Sequence, residues 1–153
     1  MDRVQNNESL YRFVKDEKNL YNPDGTITAQ AFADSGFRPS VDRAILRNYD
    51  PQESLKDTSG GIISFSVLIV RGLERIPHMD GRNNVLQEHE TDVEPVFEVG
   101  NPAHAEIFMR PECPSEKVFR RLRHALARTL NDARTLNSQE CWALRPIGLR
   151  QYQ

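Results

Sequence analysis

The most regular hydrophobic pattern in the chain lies toward its end. Between Glu116 and Arg134, the residues Phe119, Leu122, Leu126, Leu130 and Ala133 recur every third or fourth position, which gathers them into one stripe of an α-helix. Ser115 precedes the run as a natural N-cap. Lys117, Arg121, His124 and Arg128 fall on the opposite side, with Arg120 and Arg123 at its flanks, so the predicted helix carries a basic face.

Strand patterns occupy the middle. Ile62 to Val70 is apolar on both faces except for Ser64 and Ser66, as expected of a strand covered on both sides, and Gly60-Gly61 marks a tight or mobile approach to it. The RGLERIPHMDGRNN stretch then reads as leaving the sheet, with a turn at Asp80-Gly81. Farther on, Val93, Pro95, Phe97 and Val99 alternate with Glu94, Val96 and Glu98, and Pro95 assigns that strand to an edge or a bulge. Gly100-Asn101-Pro102 is too short for a crossover, so Ala103 to Met109 should return antiparallel. In that strand Ala105, Ile107 and Met109 share one face, and His104, Glu106 and Phe108 share the other. A closing strand within Glu140 to Ile147 would carry Trp142 and Leu144 on one face.

The first third reads as helical. Leu10, Phe13 and Val14 sit at helical spacing within Glu8 to Leu20, and the Asn22-Pro23-Asp24-Gly25 turn separates them from a short helical segment around Ile27, Ala31 and Phe32. Ser40 to Tyr49 reads either as a helix capped by Ser40, with Val41, Ile45 and Tyr49 aligned, or as a loop entering a short strand; the helix is the reading taken. Together these elements predict one α+β domain over residues 1–153. Its sheet is largely antiparallel, with a long helix from the C-terminal region and smaller N-terminal helices packed on one face.

Composition narrows the function classes. A chain of 153 residues with 38% apolar and 27% charged residues can build its own core, and no run approaches the roughly 20 apolar residues that cross a bilayer. The N-terminal residues lack the apolar core of a secretion signal, which makes cytoplasm the expected compartment. Cys113 and Cys141 have no neighbour at metal-finger spacing and read as two ordinary small side chains. The net charge of −2 divides unevenly: −1 over residues 1–76, −6 over 77–114 and +5 over 115–153. An acidic middle followed by a basic end predicts that the two lie near one another.

No phosphate-binding loop, dinucleotide fingerprint, HExxH, CxxC or nucleophile elbow is present, and nothing calls for a cofactor. The chemistry that can be assembled is modest. His104 and Glu106, two apart on a strand, place an imidazole and a carboxylate on one face, an acid–base pair if a substrate reaches them and an ordinary polar face if not. In the group Ser40, Asp42 and Arg43, Ser40 as a helix cap with Arg43 supplying a fork of donors and Arg38 close by in sequence would receive an anion; a capped helix with Asp42 in its first turn and a solvated arginine is the simpler reading. His78, Asp80, Glu88, His89, Glu90, Asp92 and His104 offer metal-type ligands at no recognisable spacing, and a solvated acidic edge explains them more simply. The basic helix face could follow a phosphate backbone. A slightly acidic chain with no interleaving of aromatic and basic residues nevertheless argues against nucleic acid and for a protein partner or a solvated face. The leading expectation is a domain for a small polar, anionic ligand, with His104 and Glu106 acting on a phosphoester or nucleotide held by Ser40 and Arg43. The alternative is a non-catalytic interaction or companion module docking through charged surfaces, including the 117–134 helix.

Overall fold

A computed structural model describes residues 2–137 and 141–150, with the side chains of 133–137 excepted. Seven strands form one sheet, every pairing antiparallel, in the order β4-β5-β6-β2-β1-β3-β7. They are β1 (Ser9–Val14), β2 (Ser40–Arg43), β3 (Gly61–Ser66), β4 (Ile76–Met79), β5 (Val85–Pro95), β6 (His104–Arg110) and β7 (Trp142–Leu144). Helices α1 (Val67–Arg71), α2 (Glu116–Asn137) and α3 (Ile147–Arg150) complete the α+β fold. Among the described residues no helix is long and apolar enough to cross a membrane.

The core lies between α2 and one face of the sheet. From α2 it takes Val118, Phe119, Leu122, Leu126 and Leu130, and from the strands Leu10, Val14, Val41, Ile63, Phe65, Val93, Ala105, Ile107 and Met109. Ser115 caps α2 as its position implies: its hydroxyl accepts from the Val118 amide at 3.3 Å and its carbonyl from the Phe119 amide at 3.0 Å. The end of the predicted stripe, Ala133, lies outside the described side chains.

Several local expectations are corrected. Residues 9–14 form a strand rather than a helix, because the inner stripe is Leu10-Arg12-Val14 and Arg12 is buried in it. Its guanidinium donates to the carbonyls of Ala31, Ala33 and Ser40 at 2.8–3.1 Å and to Asp34 at 2.8 Å, which removes the penalty of burying it. Ser40 caps no helix. It opens β2, whose inner residues are Val41 and Arg43, and only the 3₁₀ turn Ala44–Arg47 follows. The apolar run from Ile62 stops being strand at Ser66, whose hydroxyl accepts from the Leu68 amide at 3.1 Å and starts α1. Finally, Ile76–Met79 rejoins the sheet as its edge strand, while Phe97 and Val99, 77% and 86% exposed, lie in the loop after Pro95.

β7 forms where predicted, but Trp142 and Leu144 do not share a face: the register shifts between Ile62 and Ile63, so Trp142 joins the core that α2 covers and Leu144 packs on the cluster of the opposite face. β6 returns antiparallel to β5, with Ala105, Ile107 and Met109 buried on the α2 side. Pro95 sits in the half of β5 that β4 does not reach, where a missing amide is tolerated. The Gly60-Gly61 pair is a close-approach point: a Cβ on Gly60 would lie 2.9 Å from the Val14 carbonyl oxygen, and one on Gly61 2.7 Å from that of Leu144.

Candidate functional site

The face of the sheet turned away from α2 is only half covered. Over β1, β3 and β7 the 3₁₀ turns Ala44–Arg47 and Pro51–Ser54 close it with a small cluster around Tyr11, Ala44, Ile62 and Leu55. Over β2 and β6 polar side chains meet. Register sets them in rows: Tyr11 opposite Asp42 and Asp42 opposite His104 in one, Ser40 opposite Glu106 and Glu106 opposite Glu94 in the next. Three of the four predicted site residues, Ser40, His104 and Glu106, therefore share a face.

Arg43 does not join them. Odd positions of β2 point to the core, and Arg43 is buried there against Glu8, its Nε and one terminal nitrogen each 2.8 Å from a carboxylate oxygen. Its remaining bonds go to the carbonyls of Asp2 and Arg3. Four of its five N–H groups are thus engaged, on the face of the sheet opposite the cleft.

His104 is nearly buried, and both ring nitrogens face carboxylates at 3.1 Å: Nε2 meets Glu106 and Nδ1 meets Glu98. The two partners differ. Glu106 is fixed by Arg38, whose Nε lies 2.7 Å away and which also binds Glu94 while lying 5.0 Å over the Phe108 ring. Glu98 stands on the 96–103 loop with its side chain 51% exposed, and an exposed pair of this kind holds weakly. Beside them Asp42 ties three segments together. One carboxylate oxygen accepts from Asn101 at 2.9 Å, the other from Ser54 at 2.7 Å and Arg47 at 3.1 Å. Asp42 is saturated and serves to place Ser54 and Asn101.

A cleft of about 360 Å³ opens here because β1 and β2 pair at only two positions, Leu10–Arg43 and Tyr11–Asp42, and then part. His104, Asn101, Ser54, Ser40 and Tyr11 line it, with Lys15 and Lys56 at its exposed rim. Neither lysine has a carboxylate partner among the described residues. Burial raises the Tyr11 hydroxyl, and nearby Asp50 and Tyr49 raise it further, so it stays a proton-bearing donor. On the far side of the cleft, burial would raise Asp34, but the Ser40 amide and Arg12 outweigh it and hold this carboxyl below its ordinary value.

The scattered metal-type residues do not converge on His104. His89 is fully buried on the α2 face of β5, its Nδ1 2.5 Å from the Pro111 carbonyl, and Asp80 is engaged in its own turn by the amides of Arg82 and Asn84. Among the described residues no group of three or more His, Cys, Asp or Glu side chains is arranged to hold a metal ion. Cys113 is half-buried and Cys141 buried.

Of the residues that shape the cleft, sequence reasoning overlooks Arg12, reads Asp42 as a first-turn helical residue beside Ser40 and Arg43, and notes Arg38 only as a nearby cation. The alternation Ser40-Val41-Asp42-Arg43 contained the signal for Asp42, had the segment been taken as a strand. No protein-family model matches the chain, nor does any curated protein or any solved structure.

Proposed function

We propose that this chain binds a small anionic, hydroxylated ligand of the phosphoester or nucleotide class in the cleft beside His104. The observation that carries this reading is the asymmetry at the imidazole: Nε2 is anchored through Glu106 to Arg38, whereas Nδ1 is held by the half-exposed Glu98, which a ligand anion can displace. The unpartnered ammonium groups of Lys15 and Lys56 at the rim favour negative charge, and Ser54, Asn101 and Tyr11 supply hydrogen-bonding groups for a hydroxylated body. The volume is at the lower end of the roughly 300–1,000 Å³ usual for ligand sites, which favours something the size of a mononucleotide or smaller. In such a complex His104 would donate the Nδ1 proton to a phosphoester oxygen while Glu106 steadies the charge on the ring.

Calorimetric titration with inorganic phosphate and with adenosine monophosphate tests the binding. Lys56→Ala should weaken it by about tenfold, roughly the worth of one lost charge contact, and Glu98→Gln should strengthen it by removing the competing carboxylate. Binding that is unaffected by either substitution, or absent for both probes, would remove the cleft as the site. Turnover of p-nitrophenyl phosphate by the wild type and its loss in His104→Gln would add the acid–base step; binding without turnover would leave a binding domain.

A further inference from the structure

A second concave surface lies on the other side of the molecule, between α2 and the 72–77 segment that leads into β4, with a volume of about 850 Å³. Its rim is basic. Lys117, Arg120, His124 and Arg128 are exposed along one side of α2, and Arg121 leans across to donate to the Pro77 carbonyl at 2.9 Å. The floor is apolar, made by the half-buried Leu73, Pro77 and Ala125.

The acidic middle of the chain lies beside this groove, as the charge distribution implied, but there Glu88 and Glu90 pair with Arg75, which also lines it, rather than with the basic residues of α2. Other carboxylates of that segment are held elsewhere: Asp92 by Arg71 and Arg110, Glu94 and Glu106 by Arg38, and Glu98 faces His104. Lys117, Arg120 and Arg128 are left without a carboxylate partner among the described residues, and Glu74 is the one carboxylate lining the groove.

We infer that this groove docks an extended acidic peptide segment of a protein partner, one that carries apolar as well as acidic side chains. Charge complementarity calls for a polyanion, and three features select a peptide over nucleic acid. The apolar floor gives nothing to a phosphate backbone. No aromatic side chain lines the groove for a base to stack on. The third feature is spacing: basic residues three or four apart on a helix stand roughly 5–6 Å apart along its axis, close to the roughly 6.6 Å between same-side residues of an extended peptide. From Lys117 to Arg128 the rim spans roughly 16 Å, enough for about three such acidic positions. This inference is independent of the ligand cleft, which involves other residues.

The test is fluorescence anisotropy on the full chain at low ionic strength, with a short fluorescein-labelled peptide repeating Glu-Leu-Glu-Gly. Binding is expected, about tenfold or more weaker in Arg120→Glu/Arg128→Glu, and about tenfold weaker for a peptide repeating Glu-Gly alone, which cannot use the floor. Arg120 and Arg128 are exposed and make no side-chain hydrogen bond or ion pair among the described residues, so an unchanged urea midpoint for the double variant shows that only the surface has altered. Lys56→Ala should leave peptide binding as it was. No binding, equal binding of the two peptides, insensitivity to the charge reversal, or tighter binding of a labelled single-stranded DNA would each overturn the proposal.

Discussion

The buried Glu8–Arg43 pair provides the sharpest energetic test, because a residue expected to hold a ligand is placed instead as a structural clamp. Both side chains are almost fully buried, 6% and 8% exposed, and meet through two 2.8 Å bonds. Screening by water is therefore slight. Glu8→Leu leaves the guanidinium charged, desolvated and stripped of its two strongest acceptors, and removing one partner of such a pair costs about 3–5 kcal/mol. That is large against the roughly 5–15 kcal/mol that holds a typical domain together. Replacing both partners, Glu8→Leu with Arg43→Met, removes the orphaned charge and should recover most of the loss. What remains lost are Arg43's bonds to the carbonyls of Asp2 and Arg3 and the bond Glu8 accepts from the Gln5 amide, at about 1 kcal/mol each or less, since Asp2, Arg3 and Gln5 are exposed and water can substitute. Urea unfolding followed by the fluorescence of the single, buried Trp142 reads the effect as a midpoint shift at constant slope. A Glu8→Leu loss below about 1 kcal/mol, or a double variant no more stable than the single, would refute the account. Adenosine monophosphate binding should be unchanged in the double variant, since Arg43 faces away from the cleft.

Three further outcomes are expected. Burial alone would raise the carboxyls of Glu8, Asp34 and Asp92, but bonds from Arg43, from the Ser40 amide with Arg12, and from Arg71 respectively hold all three below their ordinary values. Groups depressed in the folded state contribute stability that is complete above the unfolded values of about 3.9–4.3 and is lost as pH falls through the folded ones. The urea midpoint should thus hold steady down to about pH 5 and fall below it, and a flat profile from there to about pH 3 would contradict the arrangement. Thr91 buries a hydroxyl with no hydrogen-bond partner among the described residues, so Thr91→Val, the same shape without the polar atom, should raise stability by up to about 1–2 kcal/mol in the same assay; a loss of that size would show that the hydroxyl is satisfied. Gly60→Ala should cost about 1–3 kcal/mol because its Cβ meets the Val14 backbone, whereas Gly81→Ala, with nothing within 4 Å, should change stability by under about 1 kcal/mol; equal effects would refute the close-approach reading.

How much of this fold could be read from the sequence depended on what filled the inner stripe of each element. Where apolar residues alone fill it, as in α2 and β6, the period is visible and the assignments match the structure. Where a buried arginine takes a core position, the period breaks: Arg12 in β1 and Arg43 in β2 sit where alternation demands an apolar residue, and the leftover apolar residues then fall by chance at helical spacing. The partners that make those burials tolerable, Asp34 with the carbonyls of Ala31, Ala33 and Ser40, and Glu8, are local in space and remote in sequence. Ser66 misled in another way. A hydroxyl within an apolar run reads equally as the polar face of a strand or as the cap of a helix, and only the Leu68 amide decides it.

The same principle governs the candidate site. His104 and Glu106 could be placed on one face because they lie two apart on a regular strand, and Ser40 came to join them through the β2–β6 register even though its assignment as a cap was mistaken. The residues that give the cleft its form act across the fold and follow no local period: Arg38 reaches Glu106, Arg47 and Asn101 meet at Asp42, and Arg12 spans the gap where β1 leaves β2. Arginine does this work throughout the first half of the chain: Arg12, Arg38, Arg43, Arg47, Arg71 and Arg75 each pair with a carboxylate. Lys117, Arg120 and Arg128 meet no carboxylate among the described residues, and the groove beside α2 keeps its basic rim. The net charge of −2 hides this completely, because it adds paired and unpaired groups alike. Unpaired charge locates a partner surface, and it can be counted only after the fold has shown which pairs have formed.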